Sequence, residues 1–118
     1  MNFLFVALGG ALGSVLRYAI SLTPVKTDFP FLTLITNFIG AIAIGFVVGV
    51  FSEKSPNALL FWKTGVCGGF TTFSTFSLEA ITLFEKKMYV PGGLYVVLSV
   101  GLCLAGILFG KRVARLFS

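Results

Sequence analysis

Ten consecutive residues, Gly68-Gly69-Phe70-Thr71-Thr72-Phe73-Ser74-Thr75-Phe76-Ser77, put five hydroxyls and three phenylalanine rings inside an otherwise apolar stretch. Hydroxyls donate hydrogen bonds, and an aromatic ring is negative on its face and positive at its edge. Ring edges beside O–H donors therefore make a path suited to a small anion. Two adjacent glycines and a run of Ser and Thr weaken a helix, which predicts a local break; the alternative is hydroxyls bonded back to their own helix. Broken backbone at membrane depth is tolerated only inside protein or against a watery cavity, and its freed carbonyls suit a cation. Phe70, Phe73 and Phe76, spaced i, i+3, i+6, fall on nearly one helical face; by itself such a stripe is core or lipid-facing surface.

Other polar residues stand isolated in apolar surroundings. Asn37 follows Thr33 and Thr36, and its amide supplies two N–H donors, either as interhelical glue or as a ligand for something that passes. Tyr95, Ser99 and Cys103 form a polar seam at i, i+4, i+8. Arg17 either snorkels to the interface or lends positive potential to an aqueous mouth. Glu79 is the one acid well inside an apolar stretch; it binds a cation, carries a proton or lies in a wet vestibule one turn beyond Thr75. There is no histidine, and Cys67 and Cys103 lack metal-ligand spacing. No activated nucleophile, paired carboxylates or phosphate loop is present, so the sequence offers no enzyme.

Composition says what must hold these residues. Of 118 residues 57% are apolar and 11% charged, with a mean hydropathy of +1.02, whereas a soluble domain carries roughly 25% charged residues. A spanning helix takes about 20 apolar residues. The expectation is an all-α membrane protein, a single transmembrane domain over 1–118 with four spans at about 3–22, 31–51, 59–84 and 94–110, the third broken in mid-span. The first stretch lacks a basic start and has Arg17 where a cleavage region should be small and neutral, so it reads as a span and not a signal peptide. Pro24, Lys26, Asp28 and Pro30 make a polar link. Ser52-Glu53-Lys54-Ser55-Pro56-Asn57 makes a second, in which Ser55 or Asn57 is a candidate helix cap. Pro91-Gly92-Gly93 precedes the last span.

Each span holds one G-x-x-x-G: Gly9 to Gly13, Gly45 to Gly49, Gly65 to Gly69, and Gly106 to Gly110. Close backbone approach at small residues is how helices associate in lipid, so a compact bundle is expected. The net charge of +5 sits mostly at span ends, where anionic lipid accounts for it and no nucleic acid is needed. With four spans one side carries Lys54, Lys63, Lys111, Arg112 and Arg115, and the other Arg17, Lys26, Lys86 and Lys87. Membrane proteins ordinarily show a clear cytoplasmic excess. A balance this even predicts insertion in both orientations and pairing of inverted copies about an axis in the membrane plane.

The run Gly65-x-Cys67-Gly68-Gly69-Phe70-Thr71-Thr72-Phe73-Ser74-Thr75-Phe76-Ser77-x-Glu79, with Asn37-x-x-Gly40 and Gly9-Gly10-x-x-Gly13-x-x-x-Arg17-Tyr18, resembles the Fluc/CrcB family of fluoride channels over essentially the whole chain. The resemblance implies an antiparallel, dual-topology homodimer with two separate pores in the inner (plasma) membrane. It implies passive efflux of fluoride from the cytoplasm, and so fluoride resistance. Phe73 and Phe76 would turn ring edges to the ion, Asn37 would be its amide ligand, and Ser74 and Thr75 would belong to a polar track. Tyr95 and Ser99, on the fourth span, would also line the fluoride pore, and Arg17 and Glu79 would line its vestibule. Gly68 and Thr71 would offer backbone carbonyls from both subunits to a structural sodium ion at the dimer interface. Cys103 stands where some relatives have a hydroxyl. Two other readings suit the length and spans: a small four-span multidrug/proton antiporter, whose first span should hold a glutamate that is absent between Phe3 and Ala19, and a non-conducting membrane assembly subunit.

Overall fold

A computed structural model describes residues 2–51 and 55–117. Every regular element among them is helical: α1 (Asn2–Ser21), α2 (Phe31–Val50), α3 (Pro56–Leu59), a π-helical segment (Leu60–Cys67), α4 (Gly68–Phe70), α5 (Phe73–Glu85) and α6 (Tyr89–Ala114). Three of these, α1, α2 and α6, are long and apolar enough to cross a membrane by themselves. The remaining apolar stretch is one rod from Pro56 to Phe70, because the residues joining α3, the π-helical segment and α4 keep helical dihedrals. It stops at Thr71 and resumes at Phe73 as α5.

Local sequence accounts for the ends. α2 starts directly after Pro30, the second proline of the first link. Ser55 occupies the N-cap position of α3 but makes no side-chain capping bond, and Asn57 lies inside the helix. Pro56 instead opens α3 at a position where a missing N–H costs nothing. The rest of that polar turn, Ser52 to Lys54, lies outside the described residues. The last helix begins at Tyr89, five residues before the expected start at Leu94. Pro91 sits in its first turn, where its N–H would have no intrahelical acceptor, and the Gly92 N–H already donates to the Met88 carbonyl at 2.9 Å. α5 ends in a paired closure: Lys87 N–H to Phe84 O at 3.0 Å and Met88 N–H to Leu83 O at 2.9 Å, with Lys87 left-handed at φ 63°.

Packing pairs the helices alternately, α1 against the Pro56–Phe70 rod and α2 against α6. Glycine makes both crossings possible. A Cβ on Gly13 would strike the Val66 carbonyl and the Phe70 N at 2.7 Å; one on Gly110 would strike the Ile42 carbonyl and the Phe46 N at 2.8 Å. Gly65 reciprocates against Gly9, and Gly45 against Ile107, so all four G-x-x-x-G motifs lie in contacts within one chain. Backbone contact at this range supplies the dispersion that replaces a hydrophobic drive in lipid. The core that reaches the break consists of Leu34, Phe76, Ala80, Leu83 and Tyr95, contributed by α2, α5 and α6.

Candidate functional site

The break is made by side chains that take over the helix's own hydrogen bonds. Thr71 (ψ 156°) and Thr72 (φ −147°, ψ 118°) are extended. The Thr72 N–H, which in a continuous helix would serve the Gly68 carbonyl, donates to Asn37 Oδ1 at 2.8 Å, and Asn37 Nδ2 donates back to the Thr72 carbonyl at 3.0 Å. The Thr75 N–H, which would serve the Thr71 carbonyl, donates to Thr72 Oγ1 at 3.1 Å and so caps α5. The Gly69 carbonyl accepts from Arg17 Nε at 3.1 Å, while the Thr71 N–H and hydroxyl both return to the Cys67 carbonyl at 3.1 and 2.9 Å. An amide from α2 and a guanidinium from α1 thus do what water cannot do at membrane depth. Gly40, one turn after Asn37, is needed for the approach: a Cβ there would meet the Thr71 methyl and the Phe70 ring, the latter at 3.2 Å.

Two cavities border this break and a third lies farther along α5. The first, about 380 Å³, is walled by Asn37, Gly40, Gly68, Thr71, Thr72, Phe73, Phe76, Ser99 and Cys103 together with aliphatic residues of α2 and α6. Ser99 is 6% exposed, and among the described residues its Oγ has no hydrogen-bond partner. The second, about 330 Å³, collects Ser14, Arg17, Tyr18, Ser21, Thr33, Thr36, Thr72 and Thr75. The third, about 340 Å³, lies under the α1–α2 link with Asp28, Glu79, Thr82 and Lys86 on its walls. Thr72 lines the first two, so the break stands between an apolar, ring-walled space and a hydroxyl-rich one that carries a cation.

The structure divides the residues singled out by sequence among these spaces. Asn37, Phe73, Phe76 and Ser99 share the first cavity with Gly68 and Thr71. Thr75 and Arg17 face the second. Ser74 is exposed, with its hydroxyl 3.5 Å from Thr72 Oγ1. Tyr95 is fully buried behind the cavities, its hydroxyl donating to Glu79 Oε1 at 3.3 Å. The expected single face for three phenylalanines does not form, because the extended residues separate Phe70, buried at the end of α4, from Phe73 and Phe76 on α5. Phe73 and Phe76 remain neighbours at 5.5 Å between ring centres, tilted by 48°. Thr72, cap and clamp at once, was not distinguished from its hydroxyl neighbours by sequence; its place two residues after the glycine-weakened turn and three before Thr75 was the available signal.

Helices of membrane-spanning length, together with a helix interrupted inside the bundle and satisfied there by part-buried polar side chains, define an all-α, multi-pass membrane protein. The family model for the CrcB-like (camphor resistance, CrcB) proteins matches residues 4–111, and the chain belongs to that family. Relatives include proteins named fluoride-specific ion channel FluC from Roseobacter denitrificans, 46% identical over 97% of this chain and 95% of the relative. One from Roseiflexus is 43% identical over 98% of both, and one from Rhizobium etli 47% identical over 93% of both.

Proposed function

We propose that the chain forms a fluoride-selective channel of the inner membrane that lets fluoride leave the cytoplasm passively and catalyses no reaction. The names of its full-length relatives support this reading, and one observation from the site carries it. Ser99 buries a hydroxyl without a partner against a cavity that also holds the Phe73 and Phe76 rings and the Asn37 amide. A buried unsatisfied hydroxyl costs about 1–3 kcal/mol, a cost that is recovered when an acceptor enters. Fluoride is small and holds its water tightly, so a selective path must replace that shell with many donors placed close together. Ser99 Oγ–H, the second Asn37 N–H left over from the clamp and the positive ring edges supply them without a fixed cation that would trap the ion, which keeps binding weak enough for release. Arg17, half-buried beside Thr75, and Glu79, held by Tyr95, flank this path as its vestibules. An interior-negative potential drives the anion outward with about 2.3 kcal/mol per 100 mV.

A second copy in inverted orientation completes the path. Phe73 is 78% exposed on the single chain although it borders the cavity, and the near-even charge balance favours insertion in both directions. The residues around the break also fit a structural sodium ion. The Gly68 and Thr71 carbonyls have lost their usual donors to Asn37 and Thr72, and neutral oxygens freed in this way suit a hard monovalent cation. With the same pair from the second copy they would hold it, and it would supply positive charge that ties the copies together.

The test is flux from liposomes loaded with fluoride or chloride. Fluoride release far above that of chloride and of protein-free vesicles is expected. Proton-coupled uptake of an organic cation would instead mark an antiporter, and silence toward all three would mark an assembly subunit.

A further inference from the structure

We propose that Phe29, on the link between α1 and α2, is a positioning residue that sets the Phe76 ring and the Glu79 carboxylate through Tyr95; this rests on the channel reading above. The link is exposed from Leu22 to Asp28, and Phe29 is its first residue to turn inward. Its ring meets Tyr95 edge-on, 5.6 Å between centres at 79°. Tyr95, with no exposed surface, in turn touches Phe76 at 5.2 Å and donates its hydroxyl to Glu79. A ring that contacts solvent on one side and the buried tyrosine on the other therefore governs two groups that face separate cavities.

Local bonds hold Phe29 in place more firmly than a connector requires. Its N–H donates to Thr27 Oγ1 at 3.3 Å, and its carbonyl accepts the Phe31 N–H at 2.8 Å across Pro30. Pro30, at φ −80° and ψ 68°, makes an inverse γ-turn, so both backbone groups of Phe29 are fixed within two residues. Asp28 also pairs with Lys86 at 3.6 Å, just past the end of α5. Both of those side chains are more than half exposed, and pairs of that kind contribute little. The aromatic contact is what must carry the positioning.

The test compares three replacements in the full chain, reconstituted in liposomes. Phe29→Ala is expected to lower fluoride flux about tenfold, the scale of one lost aromatic contact. Phe29→Leu keeps apolar volume but no ring edge and should resemble Ala, whereas Phe29→Tyr should restore flux. Parental flux in Phe29→Ala, or a Leu variant as active as the Tyr variant, would overturn the proposal, since mere filling of space would then suffice. The packing is read separately by fluorine NMR on 3-fluorotyrosine protein in which Tyr18→Phe and Tyr89→Phe leave Tyr95 as the only signal. That resonance should move in Phe29→Ala and Phe29→Leu; Phe29→Tyr, which would bring a second fluorotyrosine, is read by flux alone. An unmoved resonance sinks the inference even if the parent protein conducts, and a moved one with a silent parent sinks the channel reading alone.

Discussion

On the proposed channel reading, stability and conduction make opposite demands on Ser99. Ser99→Ala removes a hydroxyl that is buried without a partner, so it is expected to raise stability by about 1 kcal/mol, read as a higher midpoint of thermal unfolding in detergent, while lowering fluoride flux. A fall in both would mean that the hydroxyl is bonded in the native protein and is no donor to a passing ion. Asn37→Asp tests the clamp. A carboxylate has no N–H for the Thr72 carbonyl, which leaves two oxygens facing each other. Stability should drop by about 1–3 kcal/mol and flux should fall with it. Phe76→Ile keeps a buried apolar group at a cost of about 1 kcal/mol or so but removes the ring edge, so helicity should persist while flux is lost. Sequence made these residues visible because polar groups in an apolar stretch are expensive and therefore few. Their partners were not visible: nothing in the order of residues says that Asn37 spends one amide hydrogen on Thr72, or that Phe29 reaches Tyr95 from a link.

Helices lie where the apolar stretches lie, since length and composition decide that much. Their finer shape depends on contacts between helices. The π-helical turn at Leu60–Cys67 has the composition of any membrane helix and faces α1 at backbone range. Pro91-Gly92-Gly93 reads as a breaker, yet a first turn accommodates it. Close approach yields a paired prediction on α6. Gly110→Ala places a methyl against the Ile42 carbonyl and Phe46 N–H, backbone that cannot rotate away, and should cost about 1–3 kcal/mol. Gly101→Ala, with nothing within 4 Å of its new methyl, should be neutral or stabilising by up to about 1 kcal/mol. Unfolding midpoints of the two variants give the contrast. At the end of α5, Lys87 holds a left-handed conformation that glycine adopts freely, and Lys87→Gly should raise stability by about 1 kcal/mol.

Orientation belongs to the molecule as a whole. Five basic residues on one side against four on the other predict that a C-terminal tag is reached by impermeant label from both faces of the membrane. Replacing the exposed Leu116 and Phe117 with lysine changes the balance to seven against four; one orientation should then dominate, and flux should fall with the supply of inverted partners. The alternate pairing of helices has an effect on biogenesis. α1 packs on the third apolar stretch and α2 on the fourth, so during synthesis, at about 5–20 residues per second, the first two helices enter the bilayer as neighbours in sequence that touch each other only sparsely. Neither meets its mate until the second half of the chain emerges, and a nascent chain stalled after residue 51 would hold two solitary helices adrift in lipid. Separately made halves, each carrying one member of both pairs, should for the same reason find each other when produced together in one cell.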